Sequence, residues 1–285
     1  MESEKILKRP MPTPAGRPGH SAHSAMAKPA DGVPRAMPLR HAALELYYGA
    51  VRSGIPRSPR LLERTLEATT LRDLLQSTRA DVILDVGANR GQFAGFARHV
   101  GFTGWIVSFE PQPDDYAALE ASRRGDERWR GYRMALGEMD GEITLNLAYE
   151  SDTSSILPSL SATRYRGTLR VPVRRLDELW TEVRRDLDLG ADCSVFLKLD
   201  TQGYDLRVFA GASEMLGSVT AMVAELSSIP LYEGMPTMSE SLRTFGAAEF
   251  RPVHFSPVVR DDGGVPLEFD CFMRRRQGAV TPIEL

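Results

Sequence analysis

Between two predicted elements the chain reads Asp85-Val86-Gly87-Ala88-Asn89-Arg90-Gly91, directly after a short apolar run. Glycine permits left-handed backbone and lets a ligand approach the main chain closely. Asparagine is among the few other residues that tolerate that geometry. A turn of this kind at a strand end can hold a small molecule. A dinucleotide fingerprint needs G-x-G-x-x-G, but here Asn89 stands at the second glycine and no third follows at the right place. Asp85 would repel a pyrophosphate, whereas it could accept hydrogen bonds from an amine or fix a water. Glu110 follows in Ser108-Phe109-Glu110-Pro111. A carboxylate at the end of a second strand can accept both hydroxyls of a ribose, a role shared by several nucleoside cofactors. Read without a ligand, the same residues form a tight strand-to-helix turn and a solvated acid.

Such residues need a frame that gathers strand ends. Apolar runs read as strands over 81–85, 105–109, 132–136, 195–200 and 220–225. Between and after them, helical patterns cover 92–99, 113–123, 174–187, 206–216 and 239–245. A hairpin is read through Gly141 and 143–149, and 250–255 with 267–273 closes as an antiparallel pair. Strands alternating with helices predict an α/β fold, a parallel sheet covered on both faces. Ligands of such sheets lie outside the carboxyl ends of the strands, near the topological switch point. Ahead of the sheet, Leu39, Ala43, Leu46, Tyr47 and Ala50 recur at helical spacing, and Leu61, Leu62, Leu66, Leu71, Leu74 and Leu75 do so again. These two leading helices pack on the sheet, form a lid, or pair two chains into a homo-oligomer.

The 285 residues are 42% hydrophobic and 26% charged, with a net charge of −3. That is the composition of a globular protein without a basic field for nucleic acid. No apolar run approaches the ~20 residues of a membrane span, and no signal-peptide core follows the N-terminal charges. Cys193 and Cys271 form no CxxC pair, which excludes a cysteine zinc cluster or disulfide framework and suits a reducing cytoplasm. Seven of the nineteen prolines fall in the first forty residues, whose net charge is +4. Such a segment buries too little apolar surface to offset its ordering entropy. The expected organisation is a disordered leader over 1–38, helices over 39–80, the α/β domain over 81–276 and a tail over 277–285.

The pattern D-x-G-x-[GN]-x-G resembles motif I of class I S-adenosylmethionine-dependent methyltransferases. Further segments resemble the FkbM family of these enzymes, in the family's order. They are Phe109-Glu110-Pro111-Gln112-Pro113, Ala135-Leu136-Gly137 with Gly141, and Arg175-Leu176-Asp177-Glu178-Leu179. Leu197-Lys198-Leu199-Asp200-Thr201-Gln202-Gly203-Tyr204-Asp205 and Ala224-Glu225 complete the set. The resemblance implies a Rossmann-like class I methyltransferase fold, with a mostly parallel seven-stranded sheet, helices on both faces and a terminal antiparallel hairpin. It implies transfer of a methyl group from S-adenosyl-L-methionine to a hydroxyl of a sugar or polyketide-type natural product. By the same resemblance, Gly87, Asn89 and Gly91 shape the turn beneath the methionine moiety, with Asp85 nearby. Glu110 holds the ribose, Pro111 counts among the cofactor-binding residues, Ala135 and Leu136 border the adenine, and Asp200 stands beside sulfonium and acceptor. One position departs. Family members often read K-I-D-V-E-G-x-E, where this chain has a neutral Gln202 and a shortened acid, Asp205.

A hydroxyl is a poor nucleophile at neutral pH, so a base or a metal should assist it. Asp200 is the leading candidate for base or metal ligand. Glu225, ending the next strand, is a second catalytic candidate, a substrate anchor or a loop cap. Lys198 shares the face of Asp200 and either tunes it or pairs with a neighbouring carboxylate. An acid pair could hold Mg2+, although Gln202 removes one donor, and the metal ligands stay unassigned. His99 is read as structural, and His254 as a base only if its strand reaches the site. Ser154 and Ser155 are substrate hydrogen-bonders or turn residues, and Tyr232, Glu233 and Met235 form a substrate wall. Two other readings stand beside the methyltransferase. A nicotinamide-dependent oxidoreductase is opposed by the missing third glycine; a non-catalytic module would keep only the cofactor turn. Nucleic acid is disfavoured as a partner because the leader carries no aromatic residue for base stacking.

Overall fold

Strands Val82–Val86 (β1) and Val195–Leu199 (β7) are buried at every position, as the centre of a parallel sheet requires. In the computed structural model, which describes residues 59–149, 153–160 and 164–276 with residues 49, 52 and 53, these strands pair in parallel, Asp85 beside Lys198. The sheet extends through Trp105–Phe109 (β2) and Trp129–Tyr132 (β3) on one side. On the other it continues through Val219–Ser227 (β8), Pro266–Arg275 (β10) and Phe250–Arg260 (β9). The order is β3-β2-β1-β7-β8-β10-β9, with β10 antiparallel to both neighbours. The seven-stranded, mostly parallel sheet with a terminal antiparallel pair is therefore present. Its chain order reverses between β1 and β7, so the carboxyl ends of these two strands form the switch-point crevice.

Alternation sorts the core onto two faces. Val82, Leu84 and Val86 face the helices Leu176–Asp186 (α4), Asp205–Ala210 (α5) and Met238–Ala247 (α6), through Trp180, Phe209 and Phe245. Ile83 and Phe196 face Pro59–Ser77 (α1) and Gln92–His99 (α2). There Leu71, Leu74 and Leu75 are buried, each side chain worth roughly 1.5–3 kcal/mol on removal from water. Helix Pro113–Ser122 (α3) follows β2 with proline in its first turn.

Three local expectations are corrected. The run 132–136 is not one strand. Its start belongs to β3 in the main sheet, while Ala135–Leu136 (β4) joins a second sheet of order β4-β6-β5. In that sheet Gly141–Ala148 (β5) pairs with Tyr165–Arg174 (β6), a strand the sequence reading lacked. The helix expected over 206–216 ends at Ala210, with Gly211 as its cap, and a 3-10 turn, Met215–Ser218, follows. All these elements belong to the unit Arg57–Leu285. The expectations for 1–38, for nearly all of the first leading helix and for 277–285 lie outside the described residues.

Candidate active site

Parallel register places Ser108, Asp85 and Lys198 side by side on the α1–α2 face, all buried. Ser108 Oγ donates to Asp85 Oδ2 at 3.2 Å and accepts from Trp129 Nε1 at 3.1 Å. Lys198 Nζ lies 3.3 Å from both Asp85 Oδ1 and Asp200 Oδ2. It donates to the carbonyl oxygens of Gly87 at 2.6 Å and Val86 at 3.3 Å. Burial alone would drive a lysine toward its neutral form. Here the two carboxylates outweigh burial and raise its pKa. The ammonium is thus a fixed charge that ties the end of β1 to the end of β7.

The turn after β1 depends on two glycines. A Cβ on Gly87, whose φ is +74°, would lie 1.8 Å from the carbonyl oxygen of Asp200. Only glycine lets the two strand ends approach so closely. A Cβ on Gly91 (φ +89°) would lie 2.8 Å from Leu119 Cδ1 and from Ser122 Oγ on α3. Asn89, also left-handed at φ 47°, aims its backbone N–H at Glu110 Oε2, 2.8 Å away. The other carboxylate oxygen of Glu110 accepts from the N–H of Gln112 at 2.8 Å. Burial outweighs these two bonds and pushes the pKa of Glu110 up to about 7. Each oxygen keeps a further lone pair.

Glu110 stands in a cleft of about 670 Å³ of empty space, part of it open to solvent. Gly87 and Asn89 line one side, Met134 with Ala135 and Leu136 the apolar wall, and Asp200 the far end. Glu110 and Asp200 are its acids, and no Lys, Arg or His is among its described lining residues. Asp85 and Gly91 do not line the cleft; they hold it from behind, one through Lys198 and the other through α3.

At the Asp200 end the neutral residue of the fourth-strand motif joins two acids. Gln202 Nε2 donates to Asp200 Oδ1 at 3.2 Å and to Glu225 Oε2 at 2.8 Å, while its Oε1 accepts from Tyr232 Oη at 2.6 Å. Its carbonyl accepts from Ser155 Oγ at 2.7 Å. Burial, then the neighbouring Asp200, Glu268 and Asp270, push Glu225 well above the ordinary carboxylate range. Asp205 is buried and turned inward, accepting from the N–H and Oγ1 of Thr201 at 3.0 Å each.

Ser154 and Ser155 line the cleft, but both hydroxyls are engaged by the chain, Ser154 Oγ accepting from the N–H of Ala148. Tyr232 reaches the site through Gln202, whereas Met235 Sδ accepts from the N–H groups of Leu231 and Tyr232. His99 is exposed at the end of α2, and His254 packs beside Phe272 with ring centroids 6.2 Å apart; neither lines the cleft. Among the described residues no group of three or more His, Cys, Asp or Glu is arranged to hold a metal ion. The bridging role of Gln202 was missed, although its departure from the family pattern marked the position.

The Methyltransferase FkbM domain matches residues 85–252. The 2-O-methyltransferase NoeI of Sinorhizobium fredii (strain NBRC 101917 / NGR234) is 28% identical over 166 residues, covering 54% of this chain and 66% of that protein. Among solved structures, the Burkholderia thailandensis 1,6-didemethyltoxoflavin-N1-methyltransferase with bound S-adenosylhomocysteine is 17% identical. It aligns with a TM-score of 0.37 over 86% of this chain and 94% of that one. An rRNA methylase from Streptococcus thermophilus is 8% identical with a TM-score of 0.40, covering 78% and 99%. With the domain match spanning more than half of its length, the chain belongs to the FkbM methyltransferase family.

Proposed function

We propose that this protein is an S-adenosylmethionine-dependent O-methyltransferase acting on a hydroxyl of a sugar or polyketide-type small molecule. The observation that carries the reading is the charge of the cleft, two carboxylates and no Lys, Arg or His among its described lining residues. A pyrophosphate cofactor would set its negative charges against Glu110 and Asp200 with no cation among the described lining residues to meet them. A nucleoside bearing a sulfonium brings one positive charge instead. The name of the NoeI relative, a 2-O-methyltransferase, supports a hydroxyl acceptor.

In this reading Glu110 accepts the two ribose hydroxyls through its unused lone pairs, with Pro111 beside it. Ala135 and Leu136 flank the adenine. Gly87, Asn89 and Gly91 shape the bed of the methionine moiety, and Asp85 acts through Lys198. When bound, the cofactor supplies a methyl group already electrophilic by virtue of its charged sulfur. The protein's work is then alignment and removal of one proton. Asp200 would accept the proton that the acceptor hydroxyl gives up. Lys198 holds one carboxylate oxygen of Asp200 in place, and Gln202, itself held by Glu225, fixes the other. No step is assigned to a metal.

Calorimetric titration of the full chain tests this. S-adenosylhomocysteine should bind and NAD should not, and Glu110→Gln should weaken S-adenosylhomocysteine at least tenfold, as expected for loss of a charged acceptor worth about 1.5–3 kcal/mol. Asp200→Asn should bind it as before yet lose methyl transfer. Binding of NAD alone, or an unchanged Glu110→Gln variant, would overturn the cofactor assignment. A module without catalysis would transfer no methyl group in either form.

A further inference from the structure

A second cavity opens on the α1–α2 face and meets the first at Gly87, Asn89 and Asp200, which line both. A molecule filling it would therefore approach the cofactor cleft at the proposed base. Its walls combine two features. One is aromatic: Phe93 and Phe96 of α2, partly exposed, stand edge to face with centroids 6.5 Å apart. The other is acidic: Glu67 of α1 and Asp270 of β10 face the space along with Asp200.

Lys198 pairs with Asp200, but neither it nor Arg64 forms an ion pair with Glu67 or Asp270 among the described residues, and their longer-range attraction leaves both acids raised. Lys198 is encircled by Asp85, Asp200 and two carbonyls, and Arg64 is exposed on α1. Glu67 accepts one long hydrogen bond from Ser256 Oγ, at 3.5 Å. The Asp270 carboxylate has no hydrogen bond or ion pair among the described residues, and its register partner on β8 is another acid, Glu225. Burial first, and then Asp200 and Glu67, push the pKa of Asp270 up to about 7. Burial likewise raises Glu67. Leaving a carboxylate in such surroundings without a partner is unfavourable, and a bound cation would remove the cost. Faces of aromatic rings attract cations as well and fit the C–H face of a saturated ring.

We propose that this second cavity binds the methyl acceptor as an amino-sugar-type molecule, its protonated amine held by Asp270 and Glu67, its ring against Phe93 and Phe96, and a hydroxyl presented to Asp200. The inference rests on the methyltransferase reading and narrows its acceptor from polyhydroxylated small molecules in general to those carrying an amine. Neither acid is a base in this scheme. Both are positioning groups for the acceptor.

Glucosamine, N-acetylglucosamine and glucose serve as probes, titrated at pH 7 into the full chain with and without S-adenosylhomocysteine. Glucosamine should bind at least tenfold tighter than the two neutral sugars. Asp270→Asn and Glu67→Gln should each erase most of that preference, with less than a twofold change in S-adenosylhomocysteine affinity. Equal affinity for all three sugars, or no sugar binding at all, overturns the inference. If the sugars fail while S-adenosylhomocysteine still binds, the cofactor reading stands and the acceptor assignment alone falls. Because the wild-type preference is measured first, a variant that does not fold leaves the test intact.

Discussion

Gln202 shows how one atom type can organise a site. Its amide nitrogen serves two carboxylates and its oxygen takes the Tyr232 hydroxyl, so its orientation is fixed by its partners. Glutamate, the residue frequent at this position in the family, would replace the donor with a third negative charge beside Asp200 and Glu225. Like charges so close favour protonation of one of them. Gln202→Glu should therefore move the acidic limb of the pH–rate profile upward by about one pH unit and lower kcat by up to about tenfold at pH values on that limb. S-adenosylhomocysteine affinity should change little. A profile identical to the wild type would show that the charge at position 202 does not influence the acids around it. At this scale the residues adjoining strand ends, Gly87, Asn89, Glu110 and Asp200, were legible because turn chemistry has a sequence signature. Glu67, Phe93 and Asp270 were not. They come from three separate elements, and no spacing along the chain announces that they share a cavity.

Elements were legible where periodicity and burial agreed. β1, β2 and β7 lie within a residue of the expected runs because central parallel strands are apolar on both faces. β6 was missed despite alternating Leu169, Val171 and Val173, because Arg166, Arg170, Arg174 and Pro172 occupy its exposed or half-buried positions and mask the pattern. The 132–136 run was read as one strand because sequence cannot show that the chain changes sheets, leaving β3 beside β2 and pairing β4 with β6. That change of partner is what makes Ala135 and Leu136 a wall of the cleft. α1 divides along its length: Leu61, Leu62 and Leu66 are exposed, whereas Leu71, Leu74 and Leu75 are buried against the sheet. Leu71→Ala should cost roughly 2–5 kcal/mol, the range for emptying a packed leucine site, as read from denaturant midpoints at constant m. A loss below 1 kcal/mol would mean that α1 is not integral to the core.

For the molecule as a whole, the same carboxylates that equip the site set its response to pH. Burial raises Glu110 and Asp270 to about 7 and Asp205 to about 6, and lifts Glu225 and Glu268 as well. An acid whose folded pKa exceeds its unfolded value, about 4, binds more protons folded than unfolded. Its stabilising protonation is complete below pH 4 and is lost as pH rises through the folded pKa, so stability falls between about pH 4 and pH 7. Three acids are shifted the other way: Asp126, where burial is outweighed by Arg98, Glu182 beside Arg174 and Glu240 capped by Thr237; the last two are screened by solvent, and together the three offset only part of the slope. The apo protein should melt roughly 5 °C higher at pH 5.5 than at pH 8, since 1 kcal/mol corresponds to about 2–4 °C in a domain of this size. Asp270→Asn should recover on the order of 2 kcal/mol at pH 8, discounted for the group's partial exposure, and nothing near pH 4. Donor binding runs against this slope. On the proposed reading, a charged Glu110 accepts both ribose hydroxyls, whereas protonation turns one of its oxygens into a donor, so S-adenosylhomocysteine should bind more tightly above pH 7. Ligand that binds only the folded chain stabilises it by RT ln(1 + [L]/Kd) and so raises its melting point more the tighter it binds. The increment it adds should therefore be larger at pH 8 than at pH 5.5, and larger than that of Glu110→Gln at pH 8. Differential scanning calorimetry across this range, with and without ligand, checks both slopes. An increment independent of pH would detach Glu110 from the nucleoside and leave its burial without a function.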